Sequence, residues 1–166
     1  MRTPSYQFKQ ILFNRLHESA VPPAPATEGD VGFDLYGLAD VELPVGKITV
    51  ISTGIALAQS PEPLLIDGRV VAIPYPKIEG RSGLASKGIF PVGGIVDPTY
   101  RGEIKVLLFN STSDSYTIPK AKAVAQLVLY YTLSNSPPHH IVKFLETNSV
   151  DRTDRGTSGF GSSDKV

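Results

Sequence analysis

The chain is predicted to be all-β, folded as a sandwich, jelly roll or barrel. Three observations predict this: a series of short apolar or alternating runs, clusters of Gly, Pro, Asn and Ser between them, and fourteen prolines with fifteen glycines, which leave little room for helices. In order, the predicted strands lie in 8–16 (FKQILFNRL), 47–57 (KITVISTGIAL), 69–78 (RVVAIPYPKI), 102–110 (GEIKVLLFN), 123–133 (AVAQLVLYYTL) and 140–146 (HIVKFLE). Each is of strand length and ends at turn-forming residues. One short helix is expected at 83–88 (GLASKG).

The segments between strands have their own character. Residues 22–37 read as a Pro/Ala loop that tightens into a Gly-Phe-Asp turn, and 60–69 (SPEPLLIDGR) as a hairpin with Asp67 and Gly68 at its bend. Residues 148–166 contain almost no apolar side chain except Phe160, the composition of a disordered tail, and a lone aromatic among glycines also suits a flap over a flat charged ligand. The chain therefore divides into a β-rich core, 1–147, and a C-terminal arm, 148–166.

Bulk composition excludes several classes. At 166 residues and 41% hydrophobic content the chain is one ordinary domain with enough apolar surface for a core. Sixteen basic residues balance sixteen acidic ones, so no global positive field draws it to nucleic acid or an acidic membrane, and any anion must be held locally. Absence of cysteine excludes disulfides, thiolate zinc sites and a cysteine nucleophile. The first sixteen residues break their apolar positions with Lys9, Gln10, Asn14 and Arg15, and no run approaches eighteen apolar residues. A soluble intracellular protein, cytoplasmic or nuclear, is expected.

One stretch is crowded with anion-binding groups. GRSGLASKGIF (80–90) sets Arg81, Ser82, Ser86 and Lys87 among three glycines, directly after a predicted strand and at a helix start, whose N–H groups favour anions. It is not a Walker A loop, since no Gly-Lys-Ser/Thr follows, and alone it also reads as a solvated turn. VDPTYRGE (96–103) reads as a hairpin turn, with Asp97 able to accept N–H bonds and Pro98 presetting the dihedral. Gln126 interrupts an apolar strand, as a satisfied buried amide or an edge position would. Asp34 reads as a turn residue, and His139 and His140 lack neighbouring ligands to complete a metal site.

In sequence order, ATEGDVGFDLYG, GRSGLASKG, GGIVDPTYRGEIKVLLFN, AVAQLV and RGTSGFGSS resemble the five motifs of the trimeric dUTP pyrophosphatases (dUTPases). The resemblance spans residues 9–163. It implies a jelly-roll-like β-clip subunit and a homotrimer that shares its active sites. One chain gives the arginine–serine and glutamine motifs, a second the Asp-Tyr hairpin, and a third extends its arm onto them.

The implied reaction is hydrolysis of dUTP to dUMP and pyrophosphate, with water attacking the α-phosphorus and Mg²⁺ holding the triphosphate oxygens. It would keep uracil out of DNA and supply dUMP for thymidylate synthesis. Asp97 matches the aspartate that activates the water. Arg81, Ser82 and Gly83 match the phosphate-binding motif, and Gln126 the glutamine that reaches phosphate or water. Asp34 matches an aspartate placed in the water shell of a magnesium held mainly by substrate phosphates. Tyr100 resembles the tyrosine that packs under deoxyribose and excludes a 2′-hydroxyl, while hairpin backbone at Gly94 and Ile95 reads uracil. Phe160 matches the arm aromatic over the base, and Arg155, Gly161, Ser162 and Ser163 the arm residues that close on the γ-phosphate.

The chain departs from the family pattern at identifiable places. Ser158 stands where the arm has glycine, Ser163 where it has threonine, and Ala123 where an arginine precedes the glutamine by three residues. The segment 87–97 is slightly short. The stretch from Gly54 to Arg81 is long, so that 60–69 reads as an insertion suited to a protein partner. Two other readings share the fold. A dCTP deaminase would release ammonia, and a regulatory or partner-binding protein, of viral origin for example, would not need Asp97, Tyr100, Arg81 and Phe160.

Overall fold

A computed structural model describes residues 10–66, 68–120, 122–133, 146–147 and 153. The predicted strand at 140–146 lies outside them except for Glu146, as do His139, His140, Asp67 and all the named residues of the arm. The described chain is almost entirely β. Its elements are β1 (Phe13–Arg15), β2 (Gly32–Tyr36), β3 (Val41–Leu43), β4 (Ile48–Leu57), β5 (Leu64–Ile66), β6 (Arg69–Glu79), α1 (Ser82–Ala85), β7 (Ile89–Pro91), β8 (Glu103–Asn110), β9 (Tyr116–Ile118) and β10 (Ala123–Thr132). No helix among the described residues is long and apolar enough to cross a membrane.

Two four-stranded sheets are ordered β1-β4-β8-β7 and β2-β10-β6-β5, and a small β3-β9 pair lies with β3 against β4 and β8. Alternation decides which face each strand buries. In β8, Ile104, Val106, Leu108 and Asn110 point inward while Glu103, Lys105 and Leu107 do not. Their partners in one continuous core include Leu35, Ile55, Ile78, Ile89, Val124 and Leu127, drawn from both sheets. Asn110 is fully buried yet satisfied, because its amide donates to the carbonyls of Leu43 (2.8 Å) and Asp114 (2.9 Å).

β6 tolerates two prolines for a geometric reason. Ile78 donates its N–H to Gly94 (2.8 Å) and Pro76 accepts from Val96 (3.0 Å), so backbone groups at 74, 76 and 78 point away from β10. The missing N–H groups of Pro74 and Pro76 therefore cost no bond to β10. The same edge draws 94–96 against β6, with Ile95 opposite Lys77.

The expected Gly-Phe-Asp turn is instead strand β2. Residues 32–36 pair antiparallel with β10, Asp34 opposite Gln126 and Phe33 opposite Leu127, and the ladder outweighs the turn preference of an isolated Gly-Phe-Asp. The hairpin at 60–69 is present as β5 paired to the start of β6, with Gly68 at φ +74° in its bend. Strands β3, β7 and β9 were not anticipated, since three residues each are too short to show a period.

Candidate active site

The phosphate motif begins where β6 ends. Gly80 breaks the strand, Arg81 is still extended at φ −93° and ψ 133°, and the chain then closes the single turn of α1 through Leu84 and Ala85 N–H bonds to the Arg81 carbonyl. This arrangement brings Arg81 back over β2, where its Nη1 donates to Oδ1 of Asp34. Asp34 is only 6% exposed, so the guanidinium supplies the charge partner a buried carboxylate requires. Ser82 is exposed at the same turn, whereas Ser86 faces its own turn, its hydroxyl 3.4 Å from the Gly83 carbonyl.

Gln126 is held from two sides. Its Nε2 donates to the Gly80 carbonyl at 2.8 Å, and a Cβ on the facing Gly32 would overlap its Oε1. Register places Asp34, Gln126 and Glu79 side by side across β2, β10 and β6. All three lie on the face opposite Leu35, Leu127 and Ile78. Farther along it, Glu79 accepts from Lys77 and from the Tyr130 hydroxyl (2.8 Å). The hydrogen bond from Lys77, then that from Tyr130, holds the Glu79 carboxyl below the usual range. The bond to Glu79 raises both Lys77 and Tyr130.

Asp34, Arg81, Ser82, Gly83 and Gln126 line one open cavity of about 590 Å³. Sequence reasoning did not single out Asp30, Tyr116 and Lys122, which line it too. They come from loops and a three-residue strand, where no periodicity marks them. Lys87, noted within the crowded stretch, also reaches the wall, its Nζ 2.8 Å from the Tyr116 hydroxyl and 5.0 Å from that ring's centre.

The hairpin residues are elsewhere. Gly94, Ile95, Asp97 and Tyr100 line a second cavity of about 370 Å³, which shares no lining residue with the first. Gly94 sits at φ +120°, and a Cβ there would lie 2.7 Å from the Ile78 carbonyl oxygen, so a side chain at 94 would pry the hairpin off β6. The turn over 97–100 forms as expected, with Tyr100 N–H donating to the Asp97 carbonyl at 2.9 Å. It leaves the Asp97 side chain exposed. The Tyr100 ring folds back over Gly102, its hydroxyl 3.2 Å from the Glu103 carbonyl. Arg155, Phe160, Gly161, Ser162 and Ser163 lie outside the described residues.

Fold and cavities together define an all-β protein with a polar recess suited to a phosphate chain and, apart from it, a turn that presents a carboxylate beside a tyrosine. Known proteins narrow that class. The dUTPase family model matches residues 18–164. The deoxyuridine 5'-triphosphate nucleotidohydrolase of Wolinella succinogenes is 38% identical over 159 residues, 94% of this chain and 95% of that protein. Its counterpart in Paramecium bursaria Chlorella virus 1 is 37% identical over 153 residues, 92% of this chain and 96% of that one. In fold, the dUTPase of Staphylococcus bacteriophage 80alpha superposes with a TM-score of 0.69 at 23% identity, covering 93% of this chain and 98% of that one. The chain belongs to the dUTPase family.

Proposed function

We propose that this chain hydrolyses dUTP to dUMP and pyrophosphate. The observation that carries the reading is the gathering of Arg81, Ser82, Gly83 and Gln126 around one cavity, from two segments distant in sequence. Arg81 and Ser82 can donate to phosphate oxygens, Gly83 leaves the backbone open to close approach, and Gln126 offers an amide held in place by Gly80. Asp97 accepts a proton from the attacking water, and Tyr100 packs under the sugar.

These two groups of residues lie in separate cavities, which supports a site assembled from more than one copy. We read the protein as a homotrimer in which the hairpin of one subunit meets the phosphate cavity of another, and the arm residues Arg155, Phe160, Gly161, Ser162 and Ser163 of a third close over them.

Mg²⁺ fits this site as a partner of the substrate. Among the described residues no group of three His, Cys, Asp or Glu side chains could hold a metal ion, and Asp34 already accepts from Arg81. Phosphate oxygens are the hard donors Mg²⁺ prefers, and Asp34 would reach it through water. When bound, Mg²⁺ neutralises and orients the triphosphate oxygens. The work of Asp34 on its own side is to hold Arg81 over the cavity.

The inserted hairpin exposes Leu64, Leu65 and Ile66 in a row, which favours a protein contact at 60–69 in addition to turnover. We place the activity inside the cell, in cytoplasm or nucleus, where deoxynucleotides are.

The test is pyrophosphate release by the purified chain with Mg²⁺, comparing dUTP with dCTP, dTTP and UTP, with EDTA as the control. EDTA-sensitive release from dUTP alone is expected. Ammonia release from dCTP, or a folded protein inert to every nucleotide, would overturn the reading.

A further inference from the structure

We propose that Lys122 is a binding residue for the substrate's phosphate chain, an inference that rests on the dUTP reading above. The charges facing the first cavity motivate it: Asp30, Asp34, Arg81, Lys87 and Lys122. Arg81 is engaged by Asp34, and Lys87 by the hydroxyl and ring of Tyr116. Lys122 is the cation among them that makes no ion pair or side-chain hydrogen bond with any described residue. A nucleoside triphosphate carries about four negative charges, of which a bound Mg²⁺ would offset about two, and one guanidinium already shared with a carboxylate leaves the remainder short of a cation.

Local backbone geometry aims Lys122 at the recess. Its N–H donates to the Pro119 carbonyl at 2.8 Å, closing a turn that delivers the chain into β10. A bulge follows at once: Ala123 pairs with Tyr36 and Ala125 with Leu35, two residues of β10 passing one step of β2. The extra residue keeps Ala123 on the same face as Gln126, although an odd spacing of three would otherwise put them on opposite faces. Ala123 is short, so the wall between Gln126 and Lys122 is left open to a ligand.

Binding of the imido analogue dUpNHpp, of dUMP and of inorganic tripolyphosphate to wild type and K122A tests this. Loss of one charged hydrogen bond at an exposed site should weaken dUpNHpp and tripolyphosphate by about tenfold and weaken dUMP, which presents a single phosphate, by less. In turnover, the loss should fall on KM more than on kcat. A guanidinium added on the same face, K122A/A123R, should recover analogue affinity, a result that a structural role for Lys122 would not give. Equal affinity of K122A and wild type for dUpNHpp, or equal weakening of dUMP and dUpNHpp, would overturn the proposal. If wild type binds tripolyphosphate through Lys122 but releases no pyrophosphate from dUTP, the dUTP reading fails and the phosphate site stands.

Discussion

Gly32 and Gln126 occupy each other's space: a Cβ on Gly32 would overlap Oε1 of Gln126 and lie 3.3 Å from its Cβ. The glycine therefore sets the position of the amide, which in turn donates to Gly80 at the start of the phosphate motif.

Gly32→Ala should separate stability from activity. Only the far end of a flexible side chain must move, so stability should fall by no more than about 1 kcal/mol, the worth of one hydrogen bond. Gln126 would swing off Gly80, and dUTP turnover should drop by roughly tenfold. In a Gln126→Ala background the same substitution should cost little further activity, because the group it displaces is gone. Thermal unfolding and pyrophosphate release on the four proteins check the cycle, and additive losses would mean that Gly32 acts by another route.

How much of this was legible in the sequence depends on the length of the segment and on its partners. β4, β6, β8 and β10 span eight to eleven residues, long enough for their pattern to show, and all four coincide with predicted runs. β2 was misread because Gly-Phe-Asp has turn chemistry locally, and only pairing with β10 makes it a strand. Arg81, Ser82 and Gln126 stood out as residue types, but what holds them did not. The fit of Gly32 to Gln126 and the ion pair of Arg81 with Asp34 are contacts across strands far apart in sequence, which no local pattern encodes. Lys122 escaped notice because a lysine in a loop looks like any solvated charge.

The ion pair gives a second prediction. Arg81→Ala removes a phosphate ligand and strands a carboxylate that is 6% exposed. Because the arginine side chain is itself 35% exposed, water screens part of the effect, and a stability loss of about 1–2 kcal/mol is expected together with severe loss of turnover. Adding Asp34→Ala should restore much of the stability and none of the activity. Chemical denaturation and dUTP turnover of the single and double variants distinguish the two roles of Arg81, and a double variant as unstable as Arg81→Ala would refute the assignment of Asp34 as its structural partner.

Glu79, beside Gln126 in register, predicts a pH effect of defined sign. Its carboxyl is held below the usual range chiefly by the Lys77 hydrogen bond and next by that of Tyr130. A group whose folded value is depressed contributes stability above its unfolded value, about 4.3, and that contribution is lost as pH falls through the folded value. The pair is well exposed, with 33% of Lys77 and 30% of Glu79 accessible, so the effect on stability should be small. Carboxyl NMR titration should find Glu79 below ordinary glutamates, with Lys77→Met raising it more than Tyr130→Phe. An unshifted Glu79 in the wild type would remove the basis for this coupling.

The separation of the two cavities leads to the most direct test of how the site is assembled. Asp97→Asn should bind dUpNHpp but release no pyrophosphate, since the water loses its proton acceptor while the phosphate ligands remain. Arg81→Gln should also be inactive, keeping an amide toward Asp34 but losing the charge for phosphate. Each variant is intact in the half that the other lacks. If each site joins the hairpin of one copy to the phosphate cavity of another, unfolding and refolding the two inactive proteins together in equal amounts should recover about a quarter of wild-type activity, the fraction of random pairings with both halves intact. If both halves of a site came from one chain, every site in the mixture would carry a defect and the mixture would stay inactive. The result therefore decides whether the 370 Å³ and 590 Å³ cavities of a single chain serve one site or two.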